Sequence, residues 1–267
     1  MPIFIMLISA FSIIGIVKYG LVPGIDRLSL ALGWSLKARG KATGYATSVP
    51  ELVTLVAAGL SGVWDAGLWN IASSNLINLA LAITALVVYR RGREVLHRCF
   101  AKELFFAGLG ILAPLILMQF GVDTHPGVVV ALLACFAVYV VVDKSDGELP
   151  DDCGQTPDGG PWKGLAICAV SLGLIMLAGK FLGASTRDVV QQMGVPAIAA
   201  GWILGFVTSL PEAVTFFEVF STKRAGEDPD HKAQIQELLD NLSASNMSNS
   251  GLIYPIGLTI YLVGAGL

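Results

Sequence analysis

The sequence predicts an all-α integral membrane protein of about eight transmembrane helices, arranged as an inverted-topology repeat. Of the 267 residues, 54% are hydrophobic and 14% are charged. The mean hydropathy is +0.70, and a water-soluble domain typically carries about 25% charged residues. Long uncharged runs recur along the chain, and a polar motif of the first half returns in the second.

The charge and cysteine content exclude other classes of protein. A net charge of −3 leaves no basic surface for phosphates, so we expect no nucleic-acid partner. The four cysteines lie far apart in the sequence and form neither a disulfide framework nor a zinc motif. The expected partners are therefore the lipid bilayer and inorganic cations.

Uncharged runs identify the membrane spans, because about 20 apolar residues cross a hydrocarbon core roughly 30 Å thick. Four runs carry no Asp, Glu, Lys or Arg, three shorter runs can extend past flanking charges, and one more is apolar except for Glu51. We expect spans one and six to be longer than their uncharged cores. The predicted spans, numbered one to eight, are 3–17, 42–64, 66–89, 104–122, 126–142, 164–179, 189–211 and 241–267.

The distribution of basic residues predicts the orientation. We interpret the N-terminal apolar run as the first span, since it lacks the basic region and cleavage site of a signal peptide. With the N-terminus outside, the loops 34–41, 90–102, 143–163 and 222–240 face the cytoplasm and hold 13 of the 17 Lys and Arg residues. We expect insertion in the inner (plasma) membrane of the cell.

An acidic segment rich in Gly, Pro and Asp, residues 143–163, divides the chain. Its spacing does not match a calcium-binding EF-hand loop, so we interpret it as a cytoplasmic linker. Residues 1–142 then form a first repeat of five spans, and residues 164–267 a second repeat of three spans.

Two motifs recur between the halves. TSVPELVT at 47–54 returns as TSLPEAVT at 208–215, with six of eight positions identical, and the same offset of 161 relates Gly33 to Gly194 and Gly44 to Gly205. NIASSNLIN at 70–78 returns as NLSASNMSN at 241–249. The chain crosses the membrane five times between the start of span two and the start of span seven. Because five is odd, the two copies enter the membrane in opposite directions. Inverted repeats with broken polar helices are typical of secondary transporters.

The first motif places a carboxylate inside each of two apolar spans. Glu51 and Glu212 each follow a proline, which removes a backbone hydrogen bond and kinks or breaks the helix. An ionisable residue within a span is expensive and therefore predicts a functional site. Hydroxyls three and four residues before each carboxylate can converge with it; they belong to Thr47, Ser48, Thr208 and Ser209.

The second motif adds amide and hydroxyl groups at four-residue spacing, on Asn70, Ser74 and Asn78 and on Asn241, Ser245 and Asn249. Oxygen ligands without Cys or His suit a hard cation such as calcium or sodium. Two glutamates would neutralise one divalent ion, and protons or sodium ions could compensate them on the return step. Hydrogen bonding between helices is the alternative role for these stripes.

At these residues the sequence resembles the calcium/cation antiporter superfamily, in particular its bacterial and archaeal sodium/calcium exchanger-like branch. TSVPE and TSLPE look like that family's Gly-Thr-Ser-x-Pro-Glu element, and the two Asn-rich stretches look like its second element. The resemblance implies an antiporter without a cofactor, and not an enzyme, that exchanges calcium for sodium or protons. The metal ligands it implies are Glu51, Glu212, Thr47, Ser48, Ser74, Asn78, Thr208, Ser209, Ser245 and Asn249.

Three features depart from the family pattern. Ala46 and Val207 stand where the motif has glycine, which narrows the approach of backbone carbonyls to an ion. Asn249 stands where sodium/calcium exchangers often carry Asp, and Asn at both sites is found in the proton-coupled branch. The family usually has ten helices, so this chain with eight is expected to be a shortened member or a fragment.

Two alternative functions remain open at the level of sequence. A non-transporting cation-binding membrane protein, or an incomplete fragment of an exchanger, would bind cations without moving them. An intramembrane serine protease is suggested by Gly-Leu-Ser-Gly at 59–62, with Ser61 as nucleophile. No histidine lies within a predicted span to serve as its base, so this alternative is the weaker one.

Overall fold

The computed structural model describes residues 1–33, 45–144, 160–221 and 231–265. These ranges contain helices and connections without a β-strand, as the sequence predicts. Six of their helices are long and apolar enough to cross a membrane, and the helix Tyr45–Leu60 is apolar but shorter. The start of predicted span two, at 42–44, and most of the predicted linker 143–163 lie outside the described residues.

Each predicted span contains a helix, and spans one and six are longer than their uncharged cores. Spans two and eight are not among the six long apolar helices, because span two is short and span eight is polar in its first half. Two short 3-10 turns, Glu94–Leu96 and Arg98–Phe100, precede span four. The helices are Pro2–Ile16 and Val22–Ala31 (span one, joined by a π-helical turn Val17–Leu21), Val49–Leu60 (two), Trp64–Val88 (three), Ala101–Gln119 (four), Pro126–Lys144 (five), Gly160–Arg187 (six, continued by a π-helical turn Asp188–Gln192), Ala197–Thr208 and Leu210–Ser221 (seven), and His231–Ser248 and Tyr254–Ala265 (eight, joined by a π-helical turn Asn249–Ile253).

The predicted limits of span seven, 189–211, are wrong by about two helical turns. The chain from Asp188 to Gln192 continues span six, and span seven begins at Ala197. Gly194 has φ 69° and Pro196 is extended, so the turn between the helices lies inside the uncharged run. Absence of charge does not reveal such a turn. The helix that leads into span eight begins at His231, before the predicted membrane segment 241–267.

Spans two, three, seven and eight form the centre of the molecule. Span three packs along the first helix of span seven, and span two packs along the last helix of span eight. Spans one and six form a pair that also contacts spans two and seven. Spans four and five pack against span eight. The two polar motifs therefore meet at the centre, with apolar helices outside them.

The backbone repeats along with the sequence. Gly33 and Gly194, 161 residues apart, both have positive φ, at 67° and 69°. Ser48 and Ser209 interrupt their helices with nearly the same dihedrals, φ −85° and ψ 1° against φ −83° and ψ 1°. The helices that follow, in spans two and seven, begin and end at equivalent residues. The predicted breaks at the two TSxPE motifs are single-residue interruptions.

Candidate cation site between the two repeats

Each helix interruption puts a carboxylate in the first turn of a new helix. Glu51 lies in the first turn of Val49–Leu60, and Glu212 in the first turn of Leu210–Ser221. The N-terminal end of a helix has positive electrostatic potential, which stabilises a negative side chain there. Thr54 and Thr215 close the same turn in both copies by donating to the carbonyls of the motif prolines, at 2.8 and 3.1 Å. The backbone thus aims both acids at the centre in the same way.

The two carboxylates are buried close enough to repel each other. Glu51 is 0% exposed and Glu212 is 4% exposed, and each lies beside hydroxyls of the other repeat. Thr208 is next to Glu51, and Thr47 is next to Glu212 together with Ser245 of its own repeat. None of the four carboxylate oxygens accepts a hydrogen bond of good geometry. The acids are therefore surrounded by polar groups without being satisfied by them.

Asparagine amides of the second motif cross between the repeats in a reciprocal pattern. Asn78 Nδ2 donates to Ser245 Oγ at 3.1 Å and to Asn246 Oδ1 at 3.5 Å. Asn249 Nδ2 donates to Ser74 Oγ at 3.3 Å and to Asn75 Oδ1 at 2.9 Å. The amide oxygens of Asn78 and Asn249 are buried and have no hydrogen-bond partner. Each Asn thus uses its NH₂ group to join the repeats and leaves its oxygen available.

A second layer of polar residues lies behind these amides and was missed in the prediction of the site. Asn75 Nδ2 donates to the Gly110 carbonyl at 2.9 Å and to Ser250 Oγ at 3.0 Å. Asn246 Nδ2 donates to the carbonyls of Asn75 and Ala107, both at 3.4 Å. Span four is therefore tied to both repeats. Asn75 and Asn246 occupy equivalent positions of the second motif, so the repeat itself was the signal that identifies them.

The four predicted hydroxyl residues of the first motif lie at the two helix interruptions. Ser48 and Ser209 are buried at the helix interruptions, and Ser209 Oγ donates to the Ser74 carbonyl at 3.5 Å, so its hydroxyl is engaged with backbone. Thr208 Oγ1 donates to Asn70 Oδ1 at 3.3 Å. Asn70 is fully buried, whereas its counterpart Asn241 is half-buried, so the stripes differ at this end. All ten predicted residues lie on the four central spans.

The residues that replace the motif glycine lie in an apolar cluster of the core. Ala46 and Val207 are buried in an apolar cluster shared with spans one and six. Their side chains therefore belong to the packing between that pair and spans two and seven.

The electrostatics of the centre favour a cation or protons. None of the described Lys and Arg side chains pairs with Glu51 or Glu212. Burying a charged carboxylate without a partner costs roughly several kcal/mol of free energy. Such a group is therefore protonated or paired with a cation. The described residues contain no group of three or more His, Cys, Asp and Glu side chains placed to hold a metal. The available ligands are instead two carboxylates, two amide oxygens and hydroxyls, which suit a hard cation.

Ser61 has surroundings unlike those of a nucleophile. It is the last residue capping Val49–Leu60 and packs near Gly183 of span six. Of the described histidines, His97 and His125 lie in connections between helices. Their Nδ1 atoms accept hydrogen bonds from the backbone N–H groups of Cys99 and Gly127. The geometry therefore gives the protease alternative no support.

Comparison with known proteins gives one family. The model of the sodium/calcium exchanger protein family matches residues 2–143 and 163–265, which covers both halves of the chain. No curated protein and no solved structure matches significantly. The bacterial or archaeal branch indicated by the motifs stays a prediction. From the match over both repeats, the chain belongs to the sodium/calcium exchanger protein family and is a membrane-embedded cation exchanger.

Proposed function

We propose that this protein is a secondary active antiporter that exchanges calcium for sodium or protons by alternating access. The observation that carries the proposal is the pair Glu51 and Glu212, buried together without a basic partner among the described residues. Oxygens of both repeats surround them in a duplicated arrangement. We assign the cation to these two acids and to Thr47, Ser48, Ser74, Asn78, Thr208, Ser209, Ser245 and Asn249, with no other cofactor.

Charge and ligand type support calcium as one of the ions. Two carboxylates balance one divalent charge, and calcium takes 6–8 oxygen ligands in flexible geometry. Four carboxylate oxygens and the amide oxygens of Asn78 and Asn249 are buried without hydrogen-bond partners. These six oxygens are the groups that a bound cation would satisfy.

The same charges explain why transport would be an exchange. When calcium leaves, Glu51 and Glu212 remain as two adjacent buried anions, and this state is costly. Sodium ions or protons that neutralise them remove the cost. An unloaded carrier therefore crosses rarely, and each calcium ion is replaced before the site changes sides.

Spans one and six are the proposed moving elements. They pack closely as an antiparallel pair, with Gly20 against Ser171 and Gly24 against Cys168. Their contact with spans two and seven is an apolar cluster that includes Ile13, Val17, Ala46, Ile175, Leu204 and Val207. Spans three, four and eight are instead joined by the Asn and Ser hydrogen bonds. This mainly apolar contact, with an exposed hydrogen bond of 3.5 Å from Gln191 Nε2 to the Gly62 carbonyl, can shift while breaking few hydrogen bonds, so we place the moving boundary there.

The orientation follows from the basic loops. We propose insertion in the plasma membrane with the N-terminus outside, since most Lys and Arg residues then face the cytoplasm.

Calcium uptake into proteoliposomes tests the function. Purified protein is compared under an outward sodium gradient, an outward proton gradient and no gradient. Uptake driven by one gradient establishes an antiporter and names its counter-ion. Calcium binding without uptake under either gradient contradicts transport and favours the non-transporting cation-binding alternative.

A further inference from the structure

A second buried polar cluster lies away from the central acids, where spans four, five and eight meet. It lies at the end of the molecule that the charge distribution places in the cytoplasm. Glu103 stands in the first turn of span four and is 3% exposed. Asp240 stands on the first helix of span eight, just before the predicted membrane segment 241–267.

A single amide group joins these two acids. Gln236 Nε2 donates to Glu103 Oε1 and to Asp240 Oδ1, both at 2.9 Å. The second oxygen of Glu103, Oε2, is buried and has no hydrogen-bond partner. The cluster thus presents one buried carboxylate oxygen that a ligand could satisfy.

The groups around Asp240 make the cluster negative. Span four contributes Glu103 and Lys102, whose Nζ lies 3.4 Å from Glu103 Oε1, and span five contributes Asp143 and Tyr139. Three other elements with charged residues pack against this helix. Span three has Asp65 in its first turn at the opposite end, the second helix of span seven has Glu212 in its first turn, and the turn Glu94–Leu96 has Glu94, paired with Arg91. Among the described residues of this cluster, the three acids Glu103, Asp143 and Asp240 therefore lie with one base, Lys102.

We propose that Glu103, Gln236 and Asp240 form a proton-binding site, separate from the central cation site, that strengthens the contact between spans four and eight when the cytoplasm becomes acidic. One bound proton removes one of the two charges that the Gln236 amide holds together.

The protonation range supports this role. Burial, Glu103 and Asp143 raise the pKa of Asp240 from 3.8 to about 6, against the effect of Gln236 and Lys102. A raised pKa in the folded state means that the stabilising effect of the proton is fully present below the unfolded pKa, near 4. It is lost as pH rises through about 6. Acidification thus strengthens the contact of span four with the helix that carries Ser245 and leads to Asn249.

The thermal unfolding midpoint of the purified protein, measured from pH 4.5 to 8.5, tests the site. In the wild type we expect the midpoint to fall as pH rises through about 6. Asp240→Asn keeps an oxygen for Gln236 and removes the charge, so its midpoint should match the wild type at pH 5 and exceed it at pH 8. Glu103→Gln should move the fall to lower pH, because Asp240 then loses a negative neighbour.

Glu237→Gln is the matched control, since Glu237 is exposed on the same helix, three residues before Asp240. Parallel profiles for the wild type and Asp240→Asn, or the same change in Glu237→Gln, would overturn the proposal. This unfolding test does not depend on the proposed antiport function. In Glu212→Gln protein the fall near pH 6 should persist even if transport is lost, so failure of one proposal is distinguishable from failure of the other.

Discussion

The chemistry at the centre depends on single residues, two buried acids and the amide oxygens of Asn78 and Asn249. Glu51 and Glu212 are evident from sequence because a carboxylate inside an apolar span is costly and both are repeated. The roles of Asn75 and Asn246 depend on which face of span four approaches them, and no periodicity in the chain gives that contact. The carbonyls of Ala107 and Gly110 became partners only through the packing.

Replacing one central acid tests whether it holds the cation. Glu51→Gln keeps the size of the side chain and removes one charge from a buried pair. We expect calcium affinity to fall roughly 30-fold or more, as is typical when one partner of a buried charge pair is lost, at about 2–5 kcal/mol. Isothermal titration of purified protein measures it. Asp65→Asn, at an exposed carboxylate in the first turn of span three, is the control; unchanged affinity in Glu51→Gln would remove this acid from the site.

Asn249 offers a second test, because its NH₂ group joins the repeats while its amide oxygen is proposed to bind the cation. Asn249→Asp removes the donors to Ser74 Oγ and Asn75 Oδ1 and adds a third buried carboxylate. Without cation we expect the free energy of unfolding to fall by about 1–3 kcal/mol. Calcium should then raise the unfolding midpoint more than it does in the wild type.

Asn249→Ala separates the two effects, since it loses the same donors and adds no charge. Its calcium shift should be no larger than that of the wild type. Equal calcium shifts in the Asp and Ala variants would show that the side chain at 249 does not face the cation.

At the scale of elements, uncharged runs located the helices but not all their ends. Spans one and six extend past Lys18 and Lys180, as expected. The start of span seven was placed wrongly, because the turn at Gly194 and Pro196 carries no charge. The pairing of span one with span six, and of span three with span seven, depends on close contacts of small residues such as Gly20 and Gly201. The periodicity of the sequence within each span does not reveal which residues these glycines contact.

Two engineered disulfides test which elements move. A Cβ on Gly20 would lie 3.5 Å from Ser171 Cβ, and a Cβ on Gly179 would lie 4.0 Å from Val53 Cβ, distances that suit a disulfide. In a background without the native cysteines, Gly20→Cys with Ser171→Cys joins spans one and six. Val53→Cys with Gly179→Cys joins span six to span two.

We expect oxidation to leave exchange intact in the first variant, because its two spans move together. Oxidation of the second should stop exchange, and a reducing agent should restore it, as measured by calcium flux in proteoliposomes. Full exchange in the oxidised second variant would contradict movement of spans one and six against span two.

At the scale of the whole molecule, the inverted repeat determines both the fold and the site. The two motifs predicted that spans two, three, seven and eight meet, and the equivalent dihedrals at Ser48 and Ser209 show that the backbone repeats with them. The sequence did not predict that spans four and five pack beside span eight. Span four is joined to span eight by buried polar contacts such as those of Asn246 and Ser250, and span five by close packing such as that of Phe136 at Gly251.

Coupled exchange is tested most directly by whether vesicles containing the protein accumulate calcium above its external concentration. We expect accumulation under an outward sodium or proton gradient by the wild type and by Asp65→Asn, and none by Glu51→Gln or Glu212→Gln at equal protein content. Accumulation in either Gln variant, or equilibration without accumulation in the wild type under both gradients, would contradict a coupled exchanger that carries calcium between these two acids.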